Sequence, residues 1–392
     1  MKAVHFGSGN IGRGFIAKIL LKSGFDFTFV DVNKKIIDSL NYHKEYNIKL
    51  VGYNFEKIIN IKNFHAIYID HPNILNVISN SNLITTAIGV NSLNKITSIL
   101  IEGIKLKIKL KSKIPLNIIA CENKIKASSY LKEIILKHFP LKYHEYFNQY
   151  IGFVDCSIDT IIPSMISFEK NNLSLIAENF QEWIVDKRQF KGIIPNITNM
   201  TISNNLRVFI DRKFLTLNTG HAIAAYLGAI KKYKTIYESI KDNEIEDIVK
   251  NSMKESGLTL IKKYRLNKKN HFFYIDKILT RFKNPFLLDK VKRIARNPLQ
   301  KLGKNERLIT PLLLTKKYNL LNSNLIKGIA AALHYKNKDD LESIKMSNLI
   351  KKLGIKFILN KISNLELNSK EIDLIFHEYN KIYKIFFKEL YS

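Results

Sequence analysis

The sequence predicts an α/β fold in two parts, a doubly wound parallel sheet over residues 1–195 followed by a mainly α-helical domain over residues 196–392. Three observations carry this expectation. Short β-rich runs alternate with helical patterns through the first half, the order expected of a parallel sheet covered by helices. A glycine-rich turn joins the first β-rich run to the first helical pattern. From about residue 200 the β-rich runs thin out and a 3.6-residue periodicity takes over. A chain of 392 residues is also too long for one compact core, so two domains of ordinary size are expected.

The elements follow in order. Residues 2–6 read as a first strand and 27–30 as a second. Between them Ile16, Ile19 and Leu20 recur at helical spacing, and Gly24 stands where a helix is usually closed. Residues 83–88, ending at Gly89, and 116–120, ending at Cys121-Glu122-Asn123, read as buried strands with functional loops at their C-terminal ends. In the second half Ile245, Ile248, Val249 and Met253 form one helical stripe, and Asn284-Pro285 and Asn297-Pro298 read as helix stops.

Composition excludes several classes. No run reaches the roughly 18 apolar residues of a membrane-spanning helix. The first strand begins almost at Met1, leaving no room for a signal peptide, so a cytoplasmic protein is expected. The two cysteines, Cys121 and Cys156, form no C-x-x-C pair and fit a reducing compartment. The net charge of +29 could serve a polyanion. Its lysines are scattered, however, and no zinc-finger, basic-zipper or ribonucleoprotein motif is present, so neither nucleic acid nor membrane is expected as a partner. No H-E-x-x-H occurs, and His144-Glu145 lacks a second histidine four residues on, so no metal site is expected. No G-x-S-x-G elbow occurs either.

Gly7-Ser8-Gly9-Asn10-Ile11-Gly12, with Arg13 and Gly14 following, is G-x-G-x-x-G between a strand and a helix. The first glycine makes a tight turn, the second admits a diphosphate to the backbone, and the third packs helix against strand. Asp31 ends the second strand, where a carboxylate can accept both ribose hydroxyls and would repel a 2′-phosphate. The pattern predicts a Rossmann-type domain binding NAD in preference to NADP. Its expected contacts are the strand residues Ala3, Val4, His5 and Phe6, the turn residues 7–14, Asp31, and Thr86 at the end of a later strand. The imidazole of His5 itself reads as a satisfied strand histidine rather than a ligand.

Lys213, Asn218 and His221 follow Lys-x4-Asn-x2-His in a helix-compatible stretch. At about 100° per residue Asn218 lies about 140° from Lys213 and His221 about 80°, so the three share one broad face. Oxidation of an alcohol by hydride transfer needs a base for the hydroxyl proton and donors for the developing alkoxide. A lysine acts as base where burial and nearby positive charge favour its neutral amine, and Arg212 and a nicotinamide cation are candidate sources of that charge. Asn218 and His221 would supply the donors. A surface lysine, a kink-capping amide and a core histidine remain an open alternative on spacing alone.

With these motifs the chain resembles the polyol-specific long-chain dehydrogenases of the mannitol dehydrogenase family. The similarity covers Met1 to Gly14, Thr85 to Gly89, Leu116 to Asn123, Glu182 to Lys187, Gln189 to Gly192, Phe214 to Gly228, Arg281 to Pro285 and Arg307 to Ile309, and it runs to about residue 335. The resemblance implies metal-independent, NAD-dependent interconversion of D-mannitol 1-phosphate and D-fructose 6-phosphate by hydride transfer at C5. It implies Lys213 as general base, Asn218 and His221 as oxyanion contacts, Asn123 beside nicotinamide and substrate, and Arg307 at the substrate. Arg296 and Lys301 are weaker candidates for the substrate phosphate. The partner would be a small sugar or polyol phosphate, and the chain a monomer or small homo-oligomer. Where the family has Val-Asp-Arg-Ile-x-Pro this chain has Ile158-Asp159-Thr160-Ile161-Ile162-Pro163, without the arginine. A mannitol 2-dehydrogenase or uronate reductase would share these motifs but take an unphosphorylated substrate. A basic nucleic-acid-binding protein on a retired scaffold would have lost turnover.

Overall fold

The computed structural model describes residues 1–163, 173–287 and 289–386, and divides into two compact units, Met1–Phe209 and Ile210–Ser392.

In the first unit the strands are β1 (Lys2–Phe6), β2 (Asp26–Asp31), β3 (Glu45–Gly52), β4 (Phe55–Lys62), β5 (Phe64–Tyr68), β6 (Leu83–Thr86), β7 (Leu116–Ala120), β8 (Ile151–Phe153), β9 (Cys156–Asp159), β10 (Leu175–Glu178), β11 (Glu182–Asp186) and β12 (Met200–Ser203). Six of them form one sheet in the order β5-β2-β1-β6-β7-β8. Every pair in it is parallel. Alternate residues of β1 enter opposite cores: Ala3 packs with Phe27, Phe29 and Trp183, while Val4 and Phe6 pack with Ile84 and Ile118. Burial on both faces explains why these strands read as continuous apolar runs. The order reverses between β1 and β6, and ligands of such sheets bind in the crevice beyond the strand ends at that switch.

Four expected strands are present within a residue or two of their predicted limits. The antiparallel pair β3/β4, which joins β10 in a second sheet, and the β12-β11-β9 sheet were not anticipated. The second sheet closes only through a partner more than a hundred residues away, where Leu175 faces Ile48.

The second unit is helical. Its main helices are Thr219–Ile230, Asn243–Tyr264, Lys268–Phe282, Ser323–Leu333, Leu341–Lys361 and Lys370–Phe386. The stripe of Ile245, Val249 and Met253 is buried, with Ile248 at its edge. Asn284-Pro285 follows the end of Lys268–Phe282. Asn297-Pro298, expected as a stop, follows the end of the helix Val291–Ala295 and also opens the next one, Pro298–Lys301, with proline in the first turn, where its missing N–H costs nothing. Among the described residues no helix is long and apolar enough to cross a membrane.

Candidate functional site

The glycine turn shows why each glycine stands where it does. Gly7 has φ +108°, and a Cβ there would lie 2.5 Å from the Ala87 carbonyl oxygen. At Gly12 a Cβ would meet the Gly7 carbonyl oxygen at 2.0 Å and His5 Nε2 at 2.7 Å. At Gly14 it would meet Leu175 at 2.6 Å. Gly9 differs, since a Cβ there meets nothing within 4 Å. Three glycines therefore answer to the fold, and the fourth leaves open space beside the first turn of the helix. That helix starts at Asn10, passes through a π-helical turn, Gly12–Ile16, and continues as Ala17–Lys22.

Ala3, Val4 and Phe6 are buried strand residues that set the position of the turn, and Ile11 packs on the core beneath it. His5 is wholly buried with Nδ1 2.7 Å from Thr85 Oγ1; burial lowers its pKa to about 3, so it is neutral. Ser8 donates to Asp31 Oδ2 from both its amide, at 2.5 Å, and its hydroxyl, at 2.6 Å, while the Asn33 amide donates to Oδ1 at 2.8 Å. Asp31 is thus aimed back at the glycine turn. Asn10 donates to the Pro163 carbonyl at 3.3 Å. Arg13 is buried, and its Nη1 donates to the Leu173 carbonyl at 2.6 Å, so the guanidinium serves the interior of the unit. Thr160, in place of the family arginine, buries its hydroxyl without a partner among the described residues.

Across the switch point, Glu122 accepts from Thr86 Oγ1 at 3.1 Å and from the Ile88 and Gly89 amides at 2.9 Å each. It ties the loop after β6 to the loop after β7 and leaves Asn123 exposed beside it. Sequence reasoning placed Glu122 in a functional loop but did not see this task, for which only the parallel pairing of β6 with β7 is a signal.

In the second unit, Lys213–Asn218 forms another π-helical turn, leading into Thr219–Ile230. This corrects the α-helical estimate of the trio's geometry. An i→i+5 turn holds more residues per turn than an α-helix, so residues five apart are offset less than α-helical spacing gives, and Lys213 lies nearer the face of Asn218. Ser256 satisfies the Leu215 carbonyl of the turn at 2.5 Å. Gly220 allows close packing on Asn243–Tyr264, since a Cβ there would lie 2.5 Å from Met253 Sδ. Lys213, Asn218 and His221 are all partly buried.

His221 stacks on Phe282, with ring centroids 4.9 Å apart, and its Nε2 lies 2.9 Å from Asp289 Oδ2. Burial pushes the Asp289 carboxyl up, but the adjacent His221 and Arg293 outweigh it and hold the group below the usual range. Asp289 also accepts from Arg293 Nε at 2.8 Å. It is a residue that the sequence did not disclose, lying far along the chain from His221 in no recognisable motif. Arg212 lies over the Tyr274 ring, 4.3 Å from its centroid.

Arg307 joins the same neighbourhood. Its carbonyl accepts from Thr219 Oγ1 at 2.8 Å, and its guanidinium lies 5.7 Å from the centroid of Phe214. Lys301 donates to the Arg296 carbonyl. Burial, then Arg307 and Arg296, lower the Lys301 pKa to about 8. The three basic candidates are therefore electrostatic neighbours. Among the described residues no group of three His, Cys, Asp or Glu could hold a metal ion.

The mannitol dehydrogenase Rossmann-domain model matches residues 1–199, and the mannitol dehydrogenase C-terminal-domain model matches 205–383. The similarity thus extends well beyond residue 335, where the motif resemblance ended. Among curated relatives, a mannitol-1-phosphate 5-dehydrogenase of Buchnera aphidicola subsp. Schizaphis graminum is 63% identical, over 98% of this chain and 100% of its own length. One from Buchnera aphidicola subsp. Baizongia pistaciae is 49% identical over 97% and 100%. Among solved structures, a D-sorbitol dehydrogenase in substrate-free form superposes with TM-score 0.81 at 16% identity, over 98% of this chain and 93% of its own. Pseudomonas fluorescens mannitol 2-dehydrogenase, solved with NAD and D-mannitol, gives TM-score 0.70 at 12% identity, over 98% and 91%. At such identities these two structures support the fold alone. Two domain models spanning nearly the whole chain, and full-length relatives at this identity, place the chain in the mannitol dehydrogenase family.

Proposed function

We propose that the chain interconverts D-mannitol 1-phosphate and D-fructose 6-phosphate with NAD, using a lysine base and no metal. The observation that supports the chemistry is the π-helical turn, which carries Lys213 and Asn218 just before a histidine beside Asp289. Full-length relatives bearing the mannitol-1-phosphate 5-dehydrogenase name support the choice of substrate. Residues 1–195 would serve the cofactor and 196–392 the substrate.

The glycine turn fits the cofactor. The open space at Gly9 suits a diphosphate against the first amides of the helix. Asp31 keeps acceptor capacity beyond its bonds from Ser8 and Asn33, which suits ribose hydroxyls, and its charge opposes a 2′-phosphate. Thr86 and Asn123, on loops joined by Glu122, would border the nicotinamide, and Asn123 the substrate as well. The bound nicotinamide supplies the acceptor and donor of hydride. Lys213 takes the C5 hydroxyl proton during oxidation and returns it during reduction. Asn218 and His221 donate hydrogen bonds to the oxygen as it gains negative charge, and Asp289 fixes the imidazole against Phe282. Arg307, with Lys301 and Arg296 around it, would receive the substrate phosphate.

A spectrophotometric assay of fructose 6-phosphate against fructose, with NADH and then NADPH, tests this reading. Reduction of fructose should be at least about a hundredfold less efficient in kcat/KM, roughly 2.7 kcal/mol of transition-state stabilisation. Arg307→Ala should shrink that ratio. Equal efficiency on both sugars would favour a mannitol 2-dehydrogenase activity, and an unaltered ratio in Arg307→Ala would move the phosphate elsewhere.

A further inference from the structure

The first unit carries an open cavity of about 610 Å³ lined by Lys18, Lys22, Lys57 and Lys62, by Gln181 and several asparagines, and by no Asp or Glu. Lys18 and Lys22 lie on the helix that starts at the glycine turn, about 9 and 15 Å beyond Gly12 at 1.5 Å per residue, so the cavity lies towards the far end of that helix. Lys18 is only 9% exposed and has no hydrogen-bond or ion-pair partner among the described residues. The Gln181 side-chain nitrogen is likewise buried without a partner. Both groups are donors, and the buried Gln181 nitrogen is costly to leave without a partner. Burial, with Lys22 beside it, lowers the Lys18 pKa to about 8, the direction that a bound anion would reverse.

The other wall is built from one face of β4. Phe55, Lys57, Ile59 and Ile61 alternate onto the same side. Ile61 enters the core, whereas Phe55 and Lys57 remain exposed at the cavity. Buried donors thus stand near an apolar floor with an aromatic ring, and the volume lies within the range of small-molecule sites. We propose that this cavity binds an organic phosphate, with phosphoryl oxygens on Lys18, Lys22 and the Gln181 amide and the organic part against Phe55. The assignment is independent of the turnover proposed above.

The full chain, saturated with NADH to occupy the glycine turn, is titrated calorimetrically with ATP and with inorganic tripolyphosphate. Lysine acylation with and without ATP is then mapped by mass spectrometry. One ATP should bind, more tightly than tripolyphosphate, and should protect Lys18 and Lys57 from acylation. Lys18→Met should weaken ATP at least tenfold while keeping wild-type turnover. It should also fold, since Lys18 makes no hydrogen bond or ion pair among the described residues for the exchange to break. The exposed Lys57→Ala provides a second variant, expected to weaken ATP severalfold. Lys352→Met, an exposed position in the other unit, should change nothing. Absence of ATP binding, equal loss in Lys352→Met, or unprotected Lys18 and Lys57 would overturn the site. Equal affinity for the two probes would overturn its organic part.

Discussion

Replacing Gly12 and Gly9 separately by alanine distinguishes a glycine that the fold requires from one that a ligand requires. At Gly12 the new methyl would lie 2.0 Å from the Gly7 carbonyl oxygen and 2.7 Å from His5 Nε2, so the helix must withdraw by more than an ångström. Neither neighbour can yield: one is backbone, and the other is wholly buried with its second nitrogen engaged by Thr85. Overpacking costs about 1–3 kcal/mol, and a backbone clash belongs at the upper end. At about 2–4 °C per kcal/mol for a unit of this size, Tm should fall by roughly 6–12 °C. At Gly9 no atom lies within 4 Å and φ is not positive, so Gly9→Ala should keep Tm within about 2 °C of wild type. Its methyl would nevertheless stand where the diphosphate must approach, and NADH affinity should drop at least about a hundredfold, roughly 2.7 kcal/mol. Calorimetric unfolding and titration of NADH fluorescence measure the two effects. A wild-type Tm for Gly12→Ala, or wild-type NADH binding by Gly9→Ala, would refute this division of roles.

Three further outcomes are expected. Lys213→Ala should lose about 10²–10⁴ in kcat while NADH affinity stays near wild type, as loss of a general base requires; more than a tenth of wild-type turnover at saturating substrate would exclude that role. Asp31→Ser should weaken NADH and relax discrimination against NADPH together, and an unchanged NADH/NADPH ratio of kcat/KM would assign the ribose to another residue. Asp289→Asn should lower kcat by about ten- to a hundredfold, or 1.4–2.7 kcal/mol, with little change in NADH affinity. Because the Asp289 carboxyl is held below its usual value, the stability it contributes is in place above about pH 4 and lost as the pH falls through the folded pKa. The variant's unfolding curves should therefore show a shallower acid dependence, and a wild-type acid profile would contradict the ion pair.

What could be read along the chain was whatever depends on near neighbours. The glycine turn, the acid ending β2 and the Lys-x4-Asn-x2-His spacing each lie within one or two elements, where strand and helix periods fix direction. The doubly wound sheet followed by helices was legible for the same reason: strands buried on both faces are continuously apolar and surface helices are striped. The β3/β4 hairpin was less so, because its outer face is largely exposed and its sheet closes only with β10. The π-helical turn over Lys213–Asn218 changes a hydrogen-bonding pattern without changing residue types, so α-helical spacing did not show it. Arg13 could be placed at the turn by its number, but the direction of its side chain depends on the Leu173 carbonyl. Asp289 beside His221, and Arg307 joined to Thr219, bring together residues 68 and 88 positions apart. Such pairings follow from how helices pack, and packing is decided by the summed burial of many side chains, to which no local pattern gives access.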